Sequence, residues 1–181
     1  LGIRPDQKIF LYQGGLIAAR GIELLLEIFQ EVSEEKVLVV LGLGPLTAQV
    51  QAAAAACPQI YYHPAVEPTE LDAYTRSADF GFCFYQGHSG NHQLTIGNKI
   101  FQYMMAGLPV LASNLAGLRY VLSEGMGLIV DDFRNKASLL KAIEAIAQWE
   151  RQDYLPKLEA AAKRFNWEAQ EPVLLDTYAQ L

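Results

Sequence analysis

Only two cysteines, Cys57 and Cys83, occur in 181 residues. Both sit in apolar surroundings, too few and too apolar for a disulfide framework or a zinc site. Positive charge is also scarce. Fourteen Lys and Arg face twenty Asp and Glu, a formal net charge of −6 with a pI near 5.0. Nucleic-acid binding needs a basic face to follow phosphates, so this balance argues against that class of partner. A small phosphate-bearing ligand needs only two or three placed donors and stays open. Every long uncharged stretch is broken by Gly, Pro or polar residues, which excludes a membrane-spanning helix from the expectation. The chain opens on Leu1-Gly2-Ile3-Arg4-Pro5-Asp6, with neither a signal peptide nor an initiating Met. The expectation is a cytoplasmic globular domain cut from a longer chain. Its length should let it bury roughly 70% of its unfolded surface without cross-links.

Several chemical signatures are missing too. There is no P-loop pattern. Gly42-Leu43-Gly44-Pro45-Leu46-Thr47 gives half of a dinucleotide fingerprint, but Thr47 replaces the third glycine and no acid follows about 20 residues on. That loop reads as a structural turn. His88 and His92 stand four apart, yet Gly90 between them disfavours a helix and no third ligand is close, so no metal is expected. No carboxylate pair suits acid/base work: Asp79 reads as a strand-entry residue, and Asp131 and Asp132 as solvated turn residues. Cys83 reads as strand core.

What is present is alternation. Short apolar runs at 9–12, 37–41, 60–62, 80–84, 109–112 and 127–130 predict six strands. Segments of helical period separate them at 21–29, 46–56, 68–77, 98–106 and 118–122. After Asp131-Asp132 the pattern turns wholly helical: 136–149, 154–164 and 168–181, with Asn166 placed to cap the last helix. The fold class is therefore α/β, a doubly wound, Rossmann-like parallel sheet of six strands with a helical C-terminal tail. The expected division is a nucleotide-binding domain over residues 1–165 and a tail helix over 166–181.

In such sheets ligands collect where strand order reverses, at the carboxyl ends of the strands. Gly14 and Gly15 follow the first strand, and glycines there let a ligand approach the backbone; a plain strand-to-helix turn fits them equally. Arg20 and Lys99 each lie beside a helix start at this edge. Two cations converging on helix N-termini suit a diphosphate, while each alone reads as a solvated surface charge. The polar, glycine-rich loop from Gln86 to Gln93 faces the same crevice.

These segments together resemble a known family. Tyr12-Gln13-Gly14-Gly15-Leu16, Arg20-Gly21-Ile22, Gly42-Leu43-Gly44-Pro45-Leu46, Ala78-Asp79 and the block Asn98-Lys99-Ile100-Phe101-Gln102-Tyr103-Met104-Met105-Ala106-Gly107-Leu108-Pro109-Val110 occur in one order. They resemble the C-terminal, donor nucleotide-sugar-binding half of a family-four-like retaining glycosyltransferase of GT-B architecture. The resemblance covers residues 9–181, and the Asn98–Val110 block is its most specific part. It implies transfer of a sugar from a nucleoside-diphosphate sugar to an acceptor hydroxyl. Under it Arg20 and Lys99 would stabilise the leaving diphosphate, and Gly14 and Gly15 would line it. Ala65 would meet the nucleobase, Ser89, Gly90 and Asn91 the phosphates or donor sugar, Asn98 would support the turn, and Gln102 would reach the ribose.

It further implies no cofactor and no metal, since placed cations and helix N-termini can take up the charge of the leaving group. The partners it implies are the nucleotide-sugar donor and a missing N-terminal, acceptor-binding domain, to which the tail helix containing Trp167-Glu168 would cross back. A peripheral membrane acceptor reached through that half is compatible with it. Three positions depart from the family pattern. Gly15 stands where the family often has Arg, and Leu94 and Gln102 replace its paired glutamates. Gln102 keeps one donor and one acceptor but no charge; Leu94 keeps neither. The alternatives are a non-catalytic binding module descended from this fold and a nucleotide-sugar epimerase-like domain. An epimerase would need acid/base residues that the sequence does not show.

Overall fold

A computed structural model of the chain describes residues 1–86, 93–122 and 125–180. Its centre is a six-stranded sheet: β1 (Lys8–Gln13), β2 (Lys36–Leu41), β3 (Ile60–His63), β4 (Phe80–Cys83), β5 (Val110–Ser113) and β6 (Gly127–Val130). The order is β3-β2-β1-β4-β5-β6 and every pairing is parallel. The helices are α1 (Ile22–Ile28), α2 (Thr47–Ala56), α3 (Pro68–Arg76), α4 (Asn98–Met105), α5 (Ala116–Val121), α6 (Lys136–Ile146), α7 (Arg151–Phe165) and α8 (Trp167–Ala179). The Rossmann-like α/β class expected from the alternation is the one observed.

The strands read as continuous apolar runs because both faces of the sheet are covered. Successive side chains point to opposite faces. Phe10 and Tyr12 enter one core with Ile22, Leu25, Val50, Leu139 and Ile143 of α1, α2 and α6. Leu11 enters the other with Ile100, Tyr103, Leu118, Tyr154 and Leu158 of α4, α5 and α7. Aromatic rings dominate the first core. Phe10 lies 4.9 Å from Phe80 and 5.5 Å edge-on from Phe29. Asp79 locks the entry of β4 to β1: its carboxylate accepts from Ile9 N–H at 2.7 Å while its own N–H donates to Ile9 O at 2.9 Å. That is the strand-entry role its position suggested.

Boundaries shift where pattern is weak. β4 ends at Cys83, and Phe84 instead stacks on Phe133 at 4.8 Å. α7 starts three residues before the expected Tyr154, because Arg151, Gln152 and Asp153 are exposed and show no apolar period. α6 stops at Ile146, short of the expected Trp149. Asn166 caps α8 as expected, accepting from Ala169 N–H at 2.8 Å. α8 buries none of its described residues; Trp167, Val173, Leu175 and Tyr178 are each at least 60% exposed. No helix among the described residues is long and apolar enough to cross a membrane.

Candidate functional site

Strand order reverses between β1 and β4, so the crevice opens above their carboxyl ends. Two loops wall its floor. Beyond the strands the ladder continues: Gly14 N–H donates to Leu41 O at 2.9 Å, Leu16 N–H to Leu43 O at 3.0 Å, and Leu46 N–H to Leu16 O at 3.0 Å. A Cβ on Gly42 would collide with the Gly14 carbonyl, and one on Gly44 would lie 2.8 Å from Leu16 N. Those two glycines are packing residues, as the broken fingerprint suggested. Gly15 has open space around it.

Gly14 is different. Its φ of +116° suits glycine alone, and a Cβ there would stand 2.8 Å from Lys99 Cε. The Lys99 chain therefore folds back from α4 across Gly14, and its Nζ ends 4.0 Å from the centre of the Tyr12 ring. Tyr12 is fully buried and held by donation of its hydroxyl to Gly15 O at 2.8 Å. Arg20 uses a second tyrosine: its guanidinium lies 4.1 Å from the Tyr85 ring centre. Tyr85 is fixed by its N–H, which donates to Ser113 Oγ at 2.8 Å, and by close packing of its hydroxyl on Gly97, the residue before α4. Ala19, directly before Arg20, has φ +72°, the single positive value for a non-glycine residue among those described. Arg20 follows directly on that left-handed turn, just before α1.

Both cations are thus seated on rings, and among the described residues neither pairs with a carboxylate. The consequence shows in the titration of Lys99. Burial lowers the Lys99 ammonium to about 8, with the Cys83 thiol opposing that shift and the Arg20 charge adding to it. Burial pushes Cys83 up to about 11 and Tyr85 up to about 12. A site whose two cations meet no carboxylate among the described residues, one of them partly dehydrated, is poised for an anion.

A groove of about 390 Å³ between α3 and α4, lined among others by Leu71, Asp72, Thr75, Asn98, Phe101 and Gln102, adjoins Lys99 in sequence but includes neither cation. Gln102 faces it but is not free: its Oε1 accepts from Gln13 Nε2 at 3.0 Å. Asn98 is exposed at the first position of α4. Ala65 is exposed in the loop after β3, next to Pro64, whose carbonyl lies 2.8 Å from His63 Nδ1. Gly14, Gly15 and Lys99 are thus joined through Tyr12, Arg20 stands apart on Tyr85 with its charge felt at Lys99, and Asn98 and Gln102 share the groove between α3 and α4. Ala65 makes no described contact with any of them. Ser89, Gly90 and Asn91, and with them His88 and His92, lie outside the described residues. Leu94 is 71% exposed and lines no part of the groove. Asp131 accepts from Asn114 Nδ2 at 2.7 Å, and Asp132 from Arg134 N–H at 3.1 Å, both on exposed turns as expected.

Sequence reasoning missed four residues: the ring platforms Tyr12 and Tyr85, and the buried pair Gln13 and Thr75. The tyrosines did carry a signal, since each closes or follows an apolar strand with a polar-tipped ring.

Residues 7–148 match the family described as "Glycosyl transferases group 1". The chain belongs to that family. It is 30% identical over 190 residues to D-inositol 3-phosphate glycosyltransferase of Xylanimonas cellulosilytica, covering 99% of this chain and 44% of that protein. Among solved structures it resembles sucrose-phosphate synthase from Thermosynechococcus elongatus, with a TM-score of 0.78 and 23% identity over 98% of this chain and 46% of that one. HepE of Anabaena, solved in complex with UDP and glucose, gives a TM-score of 0.76 at 13% identity, over 97% of this chain and 49% of that one. The two structural likenesses show the Rossmann-like α/β fold of the matched part of these GT-B structures. The chain thus spans less than half the length of each of these three proteins.

Proposed function

We propose that this chain is the donor-binding half of a retaining glycosyltransferase, working on a nucleoside-diphosphate sugar in the cytoplasm. The observation that carries the reading is the pair of ring-seated cations, Arg20 and Lys99, at the switch point and beside the start of α4. When the bond from the sugar's anomeric carbon to the diphosphate breaks, its electron pair stays on the departing oxygen. The negative charge that develops there meets two fixed cations and the N-terminal N–H groups of α4, in a partly dehydrated site. In this reading no metal and no cofactor is needed. Gly14 and Gly15 admit the phosphates, Asn98 supports the turn, Gln102 reaches the ribose, and Ala65 borders the base. Ser89, Gly90 and Asn91 approach the donor. The acceptor, whether free or at a membrane surface, is held by an N-terminal domain that α8 meets through its exposed apolar side chains. The nucleotide named with HepE, UDP, is a first choice of probe.

One observation favours a second reading, a binding module without transfer activity. Leu94, at the place of the family's first glutamate, points into solvent, and Gln102 brings no charge. Calorimetric titration with nucleoside diphosphates tests donor binding. Sugar transfer by the chain joined to its N-terminal half separates the two readings: binding with no transfer favours the module, and no binding defeats both.

A further inference from the structure

Gln13, the last residue of β1, is 1% exposed, an uncommon place for a carboxamide. Its N–H and both polar atoms of its side chain are bonded. Its N–H donates to Tyr103 Oη at 3.2 Å, its Nε2 to Gln102 Oε1 at 3.0 Å, and its Oε1 accepts from Thr75 Oγ1 at 2.8 Å. Thr75 is equally buried and also lies 2.8 Å from Leu71 O. The three side chains make one chain of hydrogen bonds from α3 through β1 to α4, and Gln102 alone among them is exposed. The Thr75 hydroxyl has one proton and two acceptors at 2.8 Å, Gln13 Oε1 and Leu71 O, so it anchors Gln13 from α3, and Gln13 in turn holds the inner end of the Gln102 carboxamide.

We propose that Gln13 and Thr75 are positioning residues that hold the Gln102 carboxamide at the groove, and so set how strongly the site separates ribose from deoxyribose. The proposal rests on the nucleoside-diphosphate reading above. An exposed glutamine on its own samples many rotamers and must be ordered when a ligand binds; one pinned at its inner end has lost that freedom already. The outer polar atom of the carboxamide meets a ribose hydroxyl, which both donates and accepts and which a deoxyribose lacks. Recognition therefore depends on the placement that the two buried residues impose.

The experiment is calorimetric titration of the chain with ADP, CDP, GDP and UDP, followed by the 2′-deoxy and 3′-deoxy analogues of the tightest binder. The variants are Gln13→Met and Thr75→Val, each alone and combined with Gln102→Ala, with melting curves to confirm folding. Gln13→Met should weaken the ribonucleotide roughly 3- to 10-fold, the range of one neutral hydrogen bond, and leave the weaker-binding deoxy analogue unmoved. The ribose preference then shrinks by the same factor. Thr75→Val, the gentler change, should move it in the same direction and carries the test if Gln13→Met does not fold. Both effects should vanish in the Gln102→Ala background. Equal losses for ribose and deoxyribose ligands, losses that persist without Gln102, or a parent with no ribose preference would overturn the relay alone. A parent that binds none of the four diphosphates overturns the nucleotide reading, and the relay falls with it.

Discussion

Lys99 owes its chemistry to the Tyr12 ring beneath it and to the burial that ring imposes. With its ammonium lowered from 10.5 to about 8, the free protein sheds this proton in the alkaline range where an exposed lysine keeps it. A diphosphate dianion over Lys99 favours the charged form and raises that value, so binding above pH 8 takes up a proton. Affinity should be flat below about pH 7 and then fall toward tenfold per pH unit as pH rises past the free value. Calorimetry across pH checks this, and Lys99→Met should remove the slope along with much of the affinity. For stability the sign is the reverse. Between the folded value and 10.5 the unfolded chain binds more protons at this site, so the lysine's burial penalty is relieved as pH climbs through that window. Position 102 allows a second test. A carboxylate there can still accept from Gln13 Nε2 and adds charge-assisted bonds to ligand hydroxyls. Gln102→Glu should tighten nucleoside diphosphate binding by about 1 kcal/mol, with unchanged affinity placing the side chain away from the ribose.

Among the elements, the strands were legible because burial on both faces leaves an unmixed apolar run, as in β2, where all six residues are buried. Helix ends were less so: Arg151 to Asp153 are helical with no apolar residue to mark them. The candidate glycines stood out because Gly14 and Gly15 follow β1 directly, and the candidate cations because each lies beside a helix start, Arg20 before α1 and Lys99 in the first turn of α4. The relay did not. Gln13, Thr75 and Gln102 lie 62 and 89 positions apart in sequence, and a buried glutamine gives no local signal until its partners are in place. The helical tail offers its own test. The Asn166 cap should contribute about 1 kcal/mol to α8, typical of an N-cap side chain. Because α8 buries no residue of its own, Asn166→Ala should speed amide exchange across 167–179 while leaving the main melting transition where it is. A drop in that main transition would mean α8 folds as one unit with the sheet.

At the scale of the whole molecule, the sheet brings two residues 79 apart in sequence to one crevice and gives each a ring to stand on. The acidic chain has little other positive charge at this edge: among the described residues between Lys36 and Lys99 the one Lys or Arg is Arg76, which bonds Asp72 and Met105 O. Arg20 and Lys99 should therefore act on the same diphosphate. Truncating either to Ala should cost roughly 1.5–3 kcal/mol of binding, the range for hydrogen bonds to charged groups. If they share one dianion, the losses should not add. Removing the first cation lets the ligand shift, and removing the second then changes less or more than it does alone. A nucleoside without phosphates offers neither cation a charge, so its weak affinity should scarcely respond to either substitution. The measurement is a double-mutant cycle, Arg20→Ala with Lys99→Ala, titrated with nucleoside diphosphate and with nucleoside. Strict additivity would place the two cations on separate groups, and parent-like binding by both variants would make them surface charges and move the site elsewhere on the molecule.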